Sequence, residues 1–119
     1  MSQNLKVVRD YHRNVYCTPG DTFTVPVKFS RTDGEPVDVS GNTFYGWLRR
    51  NEADPEPEVE FRVDLLDAAN GVARFRLDPA VTNSIEQRAW VYKMEMNDGE
   101  TIYTLGYGWF HLGLGSASA

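Results

Sequence analysis

The side chains that most often carry chemistry in enzymes are sparse in this sequence. Histidine occurs only at His12 and His111, and Cys17 is the single thiol. These residues lack the short spacings, such as C-x₂-C or H-x₃-H, by which proteins hold zinc. A thiol nucleophile would need a base and an orienting group, and no pattern around Cys17 indicates them. The sequence therefore predicts no catalytic residue, no metal site and no cofactor.

Large aromatic side chains are the other group that could carry a function. Aromatic residues make up 13% of the chain, and four of them stand at alternate positions in two segments, as Tyr45 and Trp47, and as Tyr107 and Trp109. Tyr and Trp are frequent anchors of protein interfaces because they combine a large apolar area with a polar tip. Whether these four side chains can bind a partner depends on the direction in which their secondary-structure elements point them.

Apolar residues recur with a period of two along most of the chain. Alternation in 22–30 and 58–66 is typical of strands that bury one face. Turn pairs such as Asp33-Gly34 and Asp98-Gly99 separate the strand patterns. We predict about seven strands and one helical turn. The strands are expected at 14–18, 22–30, 43–50, 58–66, 72–78, 88–97 and 101–112, and the helical turn within 79–87, after Asp78.

These strands define the expected fold and domain organisation. Short strands with frequent turns and no long helix favour an all-β, immunoglobulin-like antiparallel β-sandwich, here over residues 14–112. Residues 1–13 are expected to form an N-terminal arm or an extra strand. This arm could pair within its own domain or join the sheet edge of a neighbouring subunit. Residues 113–119, rich in Gly, Ser and Ala, predict a short flexible tail.

Strand alternation divides the side chains into an inward and an outward set. In the last strand, the spacing of Gly106 and Gly108 predicts a bulge. The inward set is expected to be Phe23, Val25, Val27, Phe29, Phe44, Leu48, Val59, Phe61, Val63, Leu65, Ala73, Phe75, Leu77, Tyr92, Met94, Met96, Phe110 and Leu112.

The outward set predicts a surface for a partner. The third, sixth and seventh strands of an immunoglobulin-type sandwich share one sheet, so their outward residues should be neighbours. Exposed apolar patches of this kind usually mark interfaces. The alternative is that a register slip or the arm buries these residues within the monomer. The predicted partner-binding residues are Tyr45, Trp47, Val91, Tyr107 and Trp109, with Leu5 and Val7 of the arm.

The net charge argues against two classes of partner, and the hydropathy predicts no membrane-spanning helix. The chain has 12 Lys+Arg against 17 Asp+Glu, a net charge of −5, which disfavours nucleic acid and anionic membranes. No apolar run approaches the ~18 residues of a membrane-spanning helix. A single cysteine is typical of a protein made in a reducing cytoplasm.

Several short motifs resemble those of a known group of viral proteins. Tyr16–Phe23 is similar to an x-G-D-T-F opening, and Asp33–Gly41 resembles a D-G-x-P-x-D-L-[ST]-G connection. Asn70-Gly71, Asp78-Pro79 and Trp90–Met96 follow in the same order. Over residues 14–112 the chain resembles the immunoglobulin-like domain of tailed-phage virion accessory proteins, including the N-terminal domain of baseplate upper proteins.

The resemblance implies a structural role in a virion rather than catalysis. On this expectation the chain is a tail, baseplate or capsid-decoration protein that is made in the host cytoplasm and located in the virion. Its partners would be other virion proteins and copies of itself. The alternative is a carbohydrate-binding or host-adhesion module, in which the aromatic side chains would stack on the flat apolar faces of sugar rings.

Overall fold

The computed structural model describes residues 5–9 and 14–113, and the side chains of 14–113. This part of the chain contains nine strands and two short helical turns. The strands are β1 (Leu5–Arg9), β2 (Asn14–Cys17), β3 (Phe23–Arg31), β4 (Thr43–Arg49), β5 (Val59–Glu60), β6 (Arg62–Asp67), β7 (Val72–Leu77), β8 (Ala89–Asn97) and β9 (Ile102–Leu112). The helical turns are a 3₁₀ turn (Ala68–Asn70) and α1 (Pro79–Thr82).

The strands form two sheets that pack face to face. One sheet has four strands in the order β1-β3-β7-β6, and the other has five strands in the order β2-β9-β8-β4-β5. Neighbouring strands are antiparallel except for β2 and β9, which are parallel. The predicted all-β sandwich is confirmed, and β4, β8 and β9 share one sheet as expected.

Aromatic rings from both sheets fill the space between them. The ring centroids of Phe23 and Phe110 are 4.9 Å apart with an edge-to-face geometry, which joins β3 to β9. Phe44 lies 5.9 Å from Phe29 and 6.2 Å from Phe75, both on the opposite sheet. Edge-to-face pairs of this kind add to the free energy gained by burial. The alternating inward residues of β3, β7 and β8 therefore form the core that the sequence predicts.

The predicted strand 58–66 is instead two strands in different sheets. Val59 and Glu60 pair with β4, whereas the residues from Arg62 onward pair with β7. Phe61 lies between the two strands and is buried against Phe75. The chain therefore crosses the core at Phe61, and alternation alone did not reveal this crossing because apolar and polar residues alternate on both sides of it.

The expectation that Leu65 points inward is wrong. The pairing of β6 with β7 shifts register between Asp64 and Asp67, as it does at a β-bulge. An extra residue in one strand reverses the alternation beyond it. Leu65 and Leu66 are consequently both exposed on the edge strand.

The N-terminal segment supplies a strand to its own domain. β1 runs antiparallel to β3, with Val7 opposite Phe29 and Leu5 opposite Arg31. The side chains of Leu5 and Val7 lie outside the described residues, as do His12 and the predicted tail beyond residue 113. Their predicted roles in binding a partner therefore remain predictions.

The helical turn α1 begins after Asp78, as predicted, with Pro79 at its first position. The Asp78 carboxylate makes no capping hydrogen bond and instead accepts one from Arg62 over 3.0 Å. Thr82, which is fully buried, joins α1 to the loop between β2 and β3. Its hydroxyl donates to the Asp21 carbonyl oxygen over 2.8 Å and accepts from the Gly20 amide over 3.0 Å.

Gly71 is held where no other residue fits. Its φ of 77° is in the left-handed region, and its carbonyl oxygen accepts a hydrogen bond of 2.8 Å from the Phe29 amide. A Cβ at this position would lie 2.7 Å from the Val37 carbonyl oxygen and closer still to that of Phe29. Gly34 also has a positive φ, 93°, but a Cβ there would meet only open space.

We expect Gly71→Ala to destabilise the fold more than Gly34→Ala does. Both substitutions cost about 1 kcal/mol of backbone strain, and the contact with the Phe29 and Val37 carbonyls raises the loss at position 71 to about 3 kcal/mol. Urea unfolding followed by circular dichroism measures both losses. Equal losses for the two variants would show that the close approach at Gly71 is not a constraint.

Candidate interaction surface

The outward side of the five-stranded sheet arranges its side chains in rows across the strands. We call the outward residues of β9, β8 and β4 the aromatic face. The cross-strand register defines four rows that span all three strands. In the order β9, β8, β4 they are Trp109, Val91 and Arg49; Tyr107, Lys93 and Trp47; Thr104, Glu95 and Tyr45; and Ile102, Asn97 and Thr43.

The structure brings the five predicted sheet residues onto this one face. Trp109 is 48% exposed and Tyr107 is 52% exposed, so both present a large apolar area to solvent. Tyr45 is also exposed, and Val91 is half-buried beside Trp109. These four residues lie where the alternation pattern places them.

Trp47 lies on the predicted side of the sheet but is only 8% exposed, so the expectation of an exposed ring is wrong. The Arg49 guanidinium is 4.0 Å from the centroid of the Trp47 ring. Arg49 and Trp47 are two positions apart on one strand and therefore share a face. A stacked guanidinium combines cation–π attraction with apolar contact. Arg49 thus covers the Trp47 ring and separates it from solvent.

Ile102 is a member of this face that the pattern did not predict. It is 60% exposed on the β9 row that faces Asn97. The register of β9 against β8 shifts between Met94 and Glu95, so the predicted bulge is confirmed, and Leu105 is buried next to it. The bulge reverses the alternation, so the residues before it face outward at even positions.

A shallow groove of about 530 Å³ crosses the aromatic face. Trp47 and Trp109 contribute apolar walls, and Lys93, Glu52 and Thr104 contribute polar groups. Glu52 belongs to the loop after β4 rather than to the sheet. The groove therefore combines aromatic surface with charges of both signs.

Burial and the charges on the face affect the ionisation of Tyr45. Burial is the main cause that raises the pKa of its phenol, and the nearby carboxylates of Glu60 and Glu95 raise it further. The phenol therefore stays protonated at neutral pH and keeps its hydroxyl as a hydrogen-bond donor. Lys93 and Glu95 add one positive and one negative charge two positions apart on β8.

A second aromatic pair continues the outward side of this sheet onto β2. The Tyr16 and His111 rings are stacked with centroids 4.7 Å apart. His111 Nε2 also lies 3.2 Å from Asn14 Oδ1. Both contacts join β2 to β9, so the His111 side chain helps to hold the edge strand β2 against the sheet.

Within the described residues, the single thiol and the acidic side chains are not arranged as a catalytic or metal-binding group. Burial, followed by the charge of Asp21, raises the pKa of the Cys17 thiol to about 11, so the thiol is protonated and a weak nucleophile at neutral pH. Residues 14–113 hold no group of three or more His, Cys, Asp or Glu side chains placed to bind a metal ion. Among the described helices, none is long and apolar enough to span a membrane.

Comparison with known proteins supports the fold alone. No protein-family model matches the sequence, and no curated protein matches it. Among solved structures, the chain is similar to the filamin domain of Lin-41, with a TM-score of 0.53 and 12% sequence identity. The similarity covers 94% of each chain. The protein is therefore an immunoglobulin-like β-sandwich.

We expect Arg49→Ala to expose Trp47. In a Trp109→Phe background, the remaining tryptophans, Trp47 and Trp90, are both buried, so acrylamide should quench little of the fluorescence. Adding Arg49→Ala removes the guanidinium over Trp47 and should restore a quenchable tryptophan. Lys28→Ala on the opposite sheet is the matched control. Unchanged quenching after Arg49→Ala would show that Arg49 does not cover Trp47.

Proposed function

We propose that this protein is a non-enzymatic interaction domain that binds protein partners through the aromatic face. The observation that carries the proposal is the pair Tyr107 and Trp109, which expose about half of their surfaces side by side on a rigid sheet. Exposed aromatic side chains on a preformed surface bind with little loss of conformational entropy. Protein partners use such residues as anchors.

We further propose that the domain is a structural component of a phage virion, in the tail, the baseplate or a capsid decoration. The sequence resemblance over residues 14–112 supports this location. A rigid sandwich with one apolar face suits a particle because each subunit contacts several neighbours at once. Repeated weak contacts in a symmetric array add up through avidity. The partners would be other virion proteins and copies of this chain.

A carbohydrate-binding role is the second candidate. The groove that favours it has Trp109 beside the polar side chains of Lys93, Glu52 and Thr104. Sugar sites combine an aromatic platform with several polar groups that bind hydroxyls. A glycan array distinguishes the two candidates, since saturable binding that Trp109→Ser abolishes would favour the host-adhesion role.

We expect Trp109→Ser to remove the chain from purified particles without unfolding it. The ring is half-exposed, so its loss should change the free energy of unfolding by less than about 1 kcal/mol, whereas an interface anchor contributes 2 kcal/mol or more. Mass spectrometry of particles assembled with wild-type or variant chain measures incorporation.

Leu66→Ser is the matched control because Leu66 is 51% exposed on the opposite sheet. The control variant should be incorporated like the wild type. Absence of the wild-type chain from the particle would refute the virion role. Equal incorporation of Trp109→Ser would refute the role of the aromatic face.

A further inference from the structure

We propose that the aromatic face binds the same face of a second copy of the chain, about a two-fold axis that crosses β8 at Met94. This inference rests on the proposed function, because it identifies a second copy as one partner of that surface. It follows from the order of charges and apolar side chains along the rows.

The charges on β8 determine the orientation. The axis lies in the plane between the two faces and runs across β8, perpendicular to the strand, at Met94. Rotation about it makes the two β8 strands antiparallel. Lys93 of each copy then lies over Glu95 of the other, because these residues flank Met94 on the outward side. Symmetry makes two such ion pairs. An axis along β8 would instead stack Lys93 on Lys93 and Glu95 on Glu95, which like-charge repulsion disfavours.

The same axis also matches the apolar residues. The row of Trp109 lies three positions from the axis on one side, and the row of Ile102 lies three positions from it on the other. Trp109 of each copy therefore covers Ile102 of the second copy, and both side chains are about half-exposed or more in the monomer. On β4, Tyr45 meets Trp47 and the Arg49 guanidinium that covers it.

The area of the face suits a reversible dimer. The three strands of the face, β4, β8 and β9, are seven to eleven residues long. With a spacing of about 4.8 Å between strands and a rise of about 3.3 Å per residue, they make a surface of about 14 Å by 30 Å. This area, about 430 Å², is about half of the roughly 800 Å² that each partner contributes to a standard interface. We therefore expect self-association in the micromolar to millimolar range rather than an obligate dimer.

A charge swap tests the pairing. Sedimentation velocity at protein concentrations from about 10 μM to about 1 mM should show a monomer–dimer equilibrium for the wild type. This range covers the dissociation constants expected of a small interface. Lys93→Glu and Glu95→Lys should each weaken dimerisation at least tenfold, because the two-fold symmetry places each substitution in both ion pairs of the interface. The double variant Lys93→Glu with Glu95→Lys should restore it. Lys28→Glu, with the same charge change on the exposed side of β3, should dimerise like the wild type.

The outcomes separate this inference from the proposed function. A wild-type chain that stays monomeric, or a double variant that stays as weak as the single variants, would overturn the pairing. Trp109→Ser would still be excluded from particles if the aromatic face binds another virion protein. Restored dimerisation in the double variant supports the pairing even if the chain is absent from particles, which would refute the virion role alone. Circular dichroism of each variant establishes that it is folded.

Discussion

The alternation of side chains on β4 determines which residues the five-stranded sheet presents to solvent. Gly46 faces inward, and a Cβ there would lie 3.0 Å from the Phe75 ring and 3.1 Å from the Phe61 ring. A slip of one residue would place Tyr45 or Trp47 in this space, which cannot hold a large ring. Packing of the core therefore fixes the outward direction of both aromatic side chains.

The two-sheet architecture could be predicted because alternation is strong where one face is buried. β3 and β7 follow the predicted pattern because Val25 and Phe75 lie in the core while their neighbours are solvated. The division of 58–66 could not be predicted in this way. Phe61 is apolar at the expected position, and only the pairing partners on either side show that the chain changes sheets there.

The sequence predicts the candidate surface only where apolar and polar residues alternate regularly along the strands. Tyr107 and Trp109 face outward because they follow the bulge in β9, where the pattern is regular. The exposure of Ile102 depends on the position of that bulge, which the glycine spacing locates only roughly. The burial of Trp47 depends on a side-chain contact with Arg49, and strand periodicity carries no information about such contacts.

Hydroxyl-radical footprinting tests most directly whether the aromatic face is a contact surface. The chain is oxidised free at low concentration and again within its assembly, and the modification of Trp109 and Tyr107 is compared with that of Leu66 on the opposite sheet. If the aromatic face is a contact surface, both aromatic residues become protected in the assembly while Leu66 reacts equally in both states. Equal oxidation of Trp109 and Tyr107 in the two states would contradict this role of the face.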